Sequence, residues 1–276
     1  MALDSQDVVT DESISQLVQA QTEQSMGYRE AFRDYELPAA TGPSIDIPTM
    51  PEDNEFFDDK DVVKVPEGTE YPRADPEEMG TKTVATTKRG FESAITDEAL
   101  ARGQLQRQLD ITEGMARSEA EQMDSIAGSV LLANVAATKG DADGTLSWSD
   151  LLAGRSELVG SDYAPDLLLL DPLASEDLLG DERVTNRSTA MSDEAIQSGQ
   201  LPPLLGMDRV EVSSGGLGEH NAVMVDTSMY GYELTEPIGA SVKSYREENK
   251  DQTVYKVCSF KGWAAMDTGA AVKLDG

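Results

Sequence analysis

Residues 96–139 carry an amphipathic pattern longer than an ordinary globular helix, and this run constrains the rest of the chain more than any other feature. Thr96 suits an N-cap, and Asp97 and Glu98 put negative charge in the first turn, where the helix dipole favours it. Small or apolar residues recur at Leu105, Leu109, Thr112, Ala116, Ala120, Met123, Ala127 and Leu131, the spacing of one helical face. Arg102, Gln106, Glu113, Arg117 and Glu121 occupy the other face. An unbroken helix from Asp97 to Ala137 would span about 60 Å, whereas a compact ball of this chain length is about 50 Å across, from a radius of gyration of roughly 19 Å. The spacing therefore predicts a flat or elongated subunit. Gly103, Gly114 and Gly128 each cost about 1 kcal/mol against Ala and leave room for a bend. Length also suggests a coiled coil, but the stripe is rich in Ala and Thr and lacks a Leu or Ile heptad.

Charge is the next constraint. The chain of 276 residues has 52 acidic and 22 basic residues, a formal charge of −30 and a pI near 4.1. Self-repulsion on that scale opposes a compact fold at low ionic strength, and salt near 1 M, with a Debye length of ~3 Å, removes most of it. With aromatic residues at only 5%, this points to a high-salt interior and an extreme-halophile origin. A disordered acidic protein is disfavoured because the C-terminal two thirds is rich in patterned Leu, Val, Ile and Met. Such a surface repels nucleic acid and anionic membranes, which argues against a DNA-reading role. Cys258 is the single cysteine, so no internal disulfide forms, and its apolar strand-like run marks a small buried hydrophobe. No run approaches the ~18 apolar residues of a membrane span, and the N-terminus lacks a basic, hydrophobic signal peptide.

In chain order, residues 11–36 place Ile14, Leu17, Val18, Gln21, Ser25, Tyr28, Phe32 and Tyr35 on one face and predict a helix. Seven of the twelve prolines then fall within residues 38–76, which excludes helix and central strand and favours an extended path that must lean on another body. Residues 61–65 and 81–89 (TKTVATTKR) are strand-like, with turn chemistry at Gly68 and residues 72–80. Neither strand has a clean apolar face, so this hairpin also needs a neighbour. Residues 149–158 read as helix, and the apolar run 167–170 ended by Pro172 reads as a buried central strand followed by a helix over 174–179. Residues 184–200 are polar, half helix and half loop. Strands follow at 201–212, 222–225, 240–246 and 253–266, with a charged turn at 247–251. The C-terminal half is thus mixed helix and antiparallel strand.

Candidate chemistry is sparse. Residues 140–150 (GDADGTLSWSD) resemble the latter part of an EF-hand loop, with Asp141, Asp143 and Asp150 at its third, fifth and twelfth positions. The first position would be Lys139, a cation, and the last is Asp where the loop wants Glu. The reading preferred is a turn followed by an N-capped helix. His220, the only histidine, follows the turn at Gly215, Gly216 and Gly218 and reads as a surface residue. Those glycines precede a strand, so no phosphate cradle forms. No zinc set, no Ser/His/Asp constellation and no nucleotide loop can be assembled, and the chain reads as no enzyme, with no cofactor, metal or catalytic residue.

The order of parts resembles the major capsid proteins of tailed viruses with the Hong Kong 97 type fold. Residues 91–98 (FESAITDE) look like that family's strand running into the spine helix, and 163–179 (YAPDLLLLDPLASEDLL) like its axial-domain strand, proline and helix. Residues 198–210 (SGQLPPLLGMDRV) with 222–226 (AVMVD) resemble its late strand pair, and 262–267 (GWAAMD) its closing strand. The resemblance implies an α+β fold: an N-terminal arm over 1–55, an extended hairpin loop over 56–92, the spine helix and part of a peripheral domain over 93–140, a mainly axial domain over 141–225, and return strands over 226–276. It implies self-assembly into hexamers and pentamers of an icosahedral shell around double-stranded DNA, in the virion, assembled in the host cytoplasm, with portal, scaffold and decoration proteins as further partners. DNA would be contained without specific binding, and no membrane is involved. With the acidity, the virus implied infects halophilic archaea. Some members join a hairpin lysine to a distant asparagine; Lys82 and Lys88 lie in the hairpin, but no partner is assigned and the chemistry is not carried over. Two other readings stand beside this one, an encapsulin-like compartment with the same fold and an acidic calcium-binding module around residues 141–150.

Overall fold

A computed structural model describes residues 27–38, 42–49, 65, 80–98, 105–141, 144–181, 201, 203–213, 216–236 and 241–276. Its central element is helix α1, Leu105–Ala133, 29 residues and about 43 Å long. Met115, Ala116, Ala120, Met123, Ala127 and Leu131 are buried along one stripe, as the periodicity requires, while Arg117 and Glu121 pair across the exposed face at 2.8 Å. The stripe also buries two carboxylates that the sequence pattern did not single out, Glu119 and Asp124.

The helix is shorter than expected at its C-terminal end. Asn134 stops it: its backbone N–H bonds to the Leu131 carbonyl at 3.0 Å and its side-chain amide donates to the Val130 carbonyl at 2.7 Å. The chain then enters strand β5 (Ala137–Lys139), parallel to β12 (Ala271–Leu274), so tertiary pairing overrides the helical preference of these residues. At the other end Thr96 closes strand β4 (Thr87–Thr96) opposite Gln252 and directly precedes a helical residue, the position expected of an N-cap. Asp97 and Glu98 are helical, and residues 99–104, with Gly103, lie outside the described residues.

The helix expected over 11–36 does not reach its C-terminal end. Residues 11–26 lie outside the described set; Tyr28–Ala31 form one 3-10 turn and Arg33–Glu36 form strand β1, parallel to β9 (Gly231–Thr235). Tyr28 and Phe32 are buried, but Tyr35 is exposed, as are all four residues of β1, which lies at the edge of its sheet. Two five-stranded sheets follow. The first has the order β1-β9-β11-β10, with β4 also on β11; here β10 is Ser241–Glu247 and β11 is Gln252–Ala265. The second has the order β5-β12-β8-β6-β7, with β6 at Leu167–Leu170, β7 at Arg209–Val212 and β8 at Ala222–Val225. All four leucines of β6 are fully buried between β7 and β8, which is why the run is continuous rather than alternating. Helix α2 (Trp148–Gly160) precedes β6, and α3 (Pro172–Gly180) follows it, with Asp171 as N-cap and Pro at the first helical position. One apolar core runs from Tyr28 and Phe32 through α1 to the second sheet.

Among the described residues the third sheet is a two-stranded ribbon, in which strand β3 (Gly80–Ala85) pairs antiparallel with β2 (Ser44–Thr49). Residues 61–64 lie outside the described residues and Val65 is in no strand. Pro48 is tolerated because β2 is an edge strand. The run 81–89 breaks at Thr86, whose N–H bonds to the Pro43 carbonyl at 2.8 Å, so β3 joins the ribbon and β4 joins the first sheet. The expected polar segment 184–200 lies outside the described residues.

The two described glycines of α1 have opposite reasons to be there. A Cβ at Gly128 would fall 2.8 Å from two atoms of the buried Tyr28 ring, whereas nothing lies within 4 Å at Gly114. Gly128→Ala is expected to cost about 1–3 kcal/mol, and Gly114→Ala to gain about 0.5–1 kcal/mol. Denaturant midpoints of the two variants check the opposite signs.

Candidate assembly surfaces

The first sheet, α1 and the N-terminal turn meet at a buried charged cluster. Glu233 on β9 accepts from Arg29 Nε at 2.7 Å and Nη2 at 2.6 Å, from Trp263 Nε1 at 3.0 Å, and from Lys261 Nζ. Burial alone would push the Glu233 carboxyl up, but the Arg29 guanidinium and the Lys261 ammonium overcome it and hold it below the usual range. Asp124 on α1 accepts from the backbone N–H groups of Gly27 and Arg29, both at 3.1 Å, which fastens the 3-10 turn to the helix. The Tyr28 hydroxyl donates to Ser213 Oγ at 3.1 Å beyond β7. Glu119 is the discordant member. Its oxygens and the nearby Ser259 hydroxyl find no partner at hydrogen-bond distance among the described residues. Burial pushes its carboxyl up, against the pull of Ser259, Lys261 and Arg29.

The ribbon is seated on the far face of the same sheet. Leu37, Ile47, Val84, Leu234 and Ala264 form a small separate core. A Cβ at Gly262 would lie 2.7 Å from the Ala85 carbonyl oxygen, so glycine is what lets the ribbon lie directly on β11. Beside this seat is an open groove of about 290 Å³ lined by Tyr35, Ile45, Ile47, Pro48, Tyr232 and Met266. Charge is unevenly shared. Strands β3, β4, β10 and β11 hold Lys82, Lys88, Arg89, Lys243, Arg246, Lys256 and Lys261, against Glu92 and Glu247 alone. The acidic excess of the chain therefore lies entirely elsewhere.

The residues singled out by sequence are scattered. Asp150 is committed to α2: its Oδ2 accepts from the Ser147 N–H at 2.9 Å and from the Ser147 hydroxyl at 2.6 Å, completing a capping box. Lys139 lies on β5, paired with Glu157 at 2.9 Å; Asp141 is exposed, and Asp143 lies outside the described residues. Among the described residues no three His, Cys, Asp or Glu converge as a metal cage. His220 is more constrained than a surface reading implies. It is half-buried at φ +60°, and Nδ1 lies 2.6 Å from Asp177 Oδ2, which also accepts from the Leu146 N–H at 3.0 Å. That contact with Asp177 raises the imidazole above its ordinary value. Cys258 is buried on β11.

The family profile described as phage capsid protein matches residues 78–274, from β3 to the end of β12. The chain belongs to the phage capsid protein family. Solved structures give the same fold. The Mycobacterium phage Che8 structure superposes with a TM-score of 0.70 at 14% identity, covering 91% of both chains. The virus-like particle from Pyrococcus furiosus gives 0.61 at 14% identity, over 95% of this chain and 98% of that one. The capsid of the empty GTA particle gives 0.63 at 11% identity, over 91% and 89%. No curated protein matches the sequence. The capsid protein is therefore an α+β chain of the Hong Kong 97 type, with α1 in the place of the spine helix. Lys82 on β3 and Lys88 on β4 are both exposed in it.

The two buried glutamates of the capsid protein titrate with opposite sign. Glu233 is held low, so its stabilisation is present above the ordinary carboxylate range and is lost as pH falls through its depressed value. Glu119 is raised, so the fold loses stability as pH climbs from the ordinary range through the raised value. Glu233→Gln is expected to cost about 3–5 kcal/mol at neutral pH, because Arg29 and Lys261 lose their counter-charge. Glu119→Gln is expected to raise Tm at neutral pH, by about 2–4 °C per kcal/mol recovered, and to leave it unchanged once acid has protonated the wild-type carboxyl. Thermal melts across pH check both.

Proposed function

We propose that this capsid protein assembles with copies of itself into hexamers and pentamers of a closed icosahedral shell enclosing double-stranded viral DNA. The family match over residues 78–274 is the observation that carries this reading. The structure supports it with a two-stranded ribbon that has only one small core of its own, and with apolar side chains left exposed at Leu152, Val159, Leu173 and Val212. In this reading residues 1–55 form the arm and 56–92 the extended loop, both anchored in the subunit's own first sheet through β1 and β4, while 141–225 converge on capsomer centres. The role is structural rather than catalytic, the protein resides in the virion, and assembly takes place in the host cytoplasm. Portal, scaffold and decoration proteins are its further partners. The match to a viral family favours this over an encapsulin-like compartment. The formal charge of −30 supports a shell that closes in concentrated salt and, together with an aromatic content of 5%, a halophilic archaeal virus.

Electron microscopy of the purified protein in molar salt, beside the same sample dialysed to low salt, tests the proposal. Closed shells or rings of six and five that dissociate on dialysis are the expected outcome. A monodisperse monomer under both conditions overturns it.

A further inference from the structure

We propose that the exposed face of the β4–β11–β10 sheet is a basic docking surface for an acidic face of a second copy of this chain. The inference rests on the self-assembly reading above and names one of its contacts.

Register defines the face. Phe260 lies opposite Lys88, Cys258 opposite Gly90, and Lys256 opposite both Glu92 and Lys243, so these side chains share one side of the sheet. Helix α1 packs on the other side, where Glu119 meets Ser259 and Lys261. Among the described residues the ribbon covers the docking side at its Ala264 end. Beyond it lies a groove of about 330 Å³ floored by Gly90 and Cys258. A Cβ at Gly90 would lie 2.3 Å from the Val257 carbonyl oxygen, so the glycine brings the two strands together and leaves the floor shallow.

Two features of this face call for an anionic partner. Lys243 and Lys256 are directly opposite across β10 and β11, a like-charge pair that a sheet avoids when it stands alone. Lys256 has Glu92 at 3.3 Å, and that carboxylate also accepts from the Tyr245 hydroxyl at 3.0 Å. Lys88 sits over the Phe260 ring, and among the described residues neither Lys88 nor Lys243 has a carboxylate at ion-pair distance. The second feature is the contrast with the rest of the molecule. On this face Lys88, Lys243 and Lys256 outnumber Glu92 and Glu247, so it is net positive in a chain whose formal charge is −30. The rest of a second copy is acidic on balance and offers carboxylates to it.

The same contrast disfavours nucleic acid, whose approach the net charge opposes at every distance beyond contact. Salt separates the two effects for a protein partner. Near 1 M the Debye length is ~3 Å, so repulsion between whole subunits is screened while ion pairs in contact persist.

The test compares two triple variants with the same change of net charge. Lys88→Glu/Lys243→Glu/Lys256→Glu reverses the face, and Arg117→Glu/Lys139→Glu/Arg155→Glu reverses charges elsewhere on the surface. Circular dichroism confirms the fold of each, and the neutral variant Lys88→Gln/Lys243→Gln/Lys256→Gln replaces the first if it fails to fold. Sedimentation velocity and electron microscopy follow assembly as a function of protein concentration in molar salt. The expected result is a rise of about tenfold or more in the critical concentration for the face variant, with the control close to wild type. Equal effects in both variants, or none in either, overturn the docking surface while leaving self-assembly standing. Normal shells that fail to retain DNA assign the face to nucleic acid and overturn it too. Wild-type protein that stays monomeric throughout overturns both readings.

Discussion

Glu233 is the charge on which the first sheet depends. A carboxylate this deep is tolerable only with donors on both of its oxygens, and they come from two distant parts of the chain: Arg29 from the N-terminal turn, and Lys261 and Trp263 from the long strand β11. Because the donors are distant in sequence, the cluster cannot be satisfied until the turn, β9 and β11 are in place together. Its contribution is specificity as much as stability, since a slip of β9 by one residue would turn Glu233 to the opposite face and leave Arg29 buried without a counter-ion. Asp124 extends the same logic to α1 by holding the N–H groups of the turn. The long helix is therefore fastened by polar contacts as well as by its apolar stripe.

A second economy explains how so acidic a chain folds. Many of its buried or half-buried carboxylates terminate local structure rather than meet cations. Asp150 and Asp171 cap helices, Asp226 accepts from the Ala164 and Ser228 N–H groups, and Asp267 accepts from Gly269 N–H and the Tyr163 hydroxyl. Each such acid satisfies backbone donors that would otherwise be orphaned, so the charge has a structural use without needing one of the scarce lysines or arginines. The loop at residues 140–150 is one case of this pattern. Its last aspartate is a helix cap, which is why its likeness to a calcium loop stops short.

What could be read in the sequence divides by range of interaction. β6, β8, α3 and the stripe of α1 were legible because their signal is local: a continuous leucine run, a proline just after a capping aspartate, a three-and-four periodicity. The strand pairs β1 with β9 and β5 with β12 were not. Residues 33–36 continue a helical spacing, residues 137–139 continue the helix before them, and 231–235 and 271–274 are five- and four-residue strands completed by partners far along the chain. β2 was hidden by Pro48, which argues against strand in general but not against an edge. At the assembly surfaces the same division holds. The length of α1, the need of the hairpin for a neighbour and the basic run at Lys88 and Arg89 are written in consecutive residues. The opposition of Lys243 to Lys256 exists only in the register of β10 on β11.

That opposition shows how the charge of the whole chain and the geometry of one sheet act on each other. Subunits of this net charge repel as bodies, so any stable contact between them must be made where local charge differs from the mean. Seven of the 22 basic residues fall on β3, β4, β10 and β11, and three of them, Lys88, Lys243 and Lys256, share the side of the sheet away from α1. A uniform spread of the same lysines and arginines would soften the repulsion slightly everywhere and attract nothing. Gathered on one rigid sheet, they set a direction, and a directed contact between identical chains is what a closed shell requires.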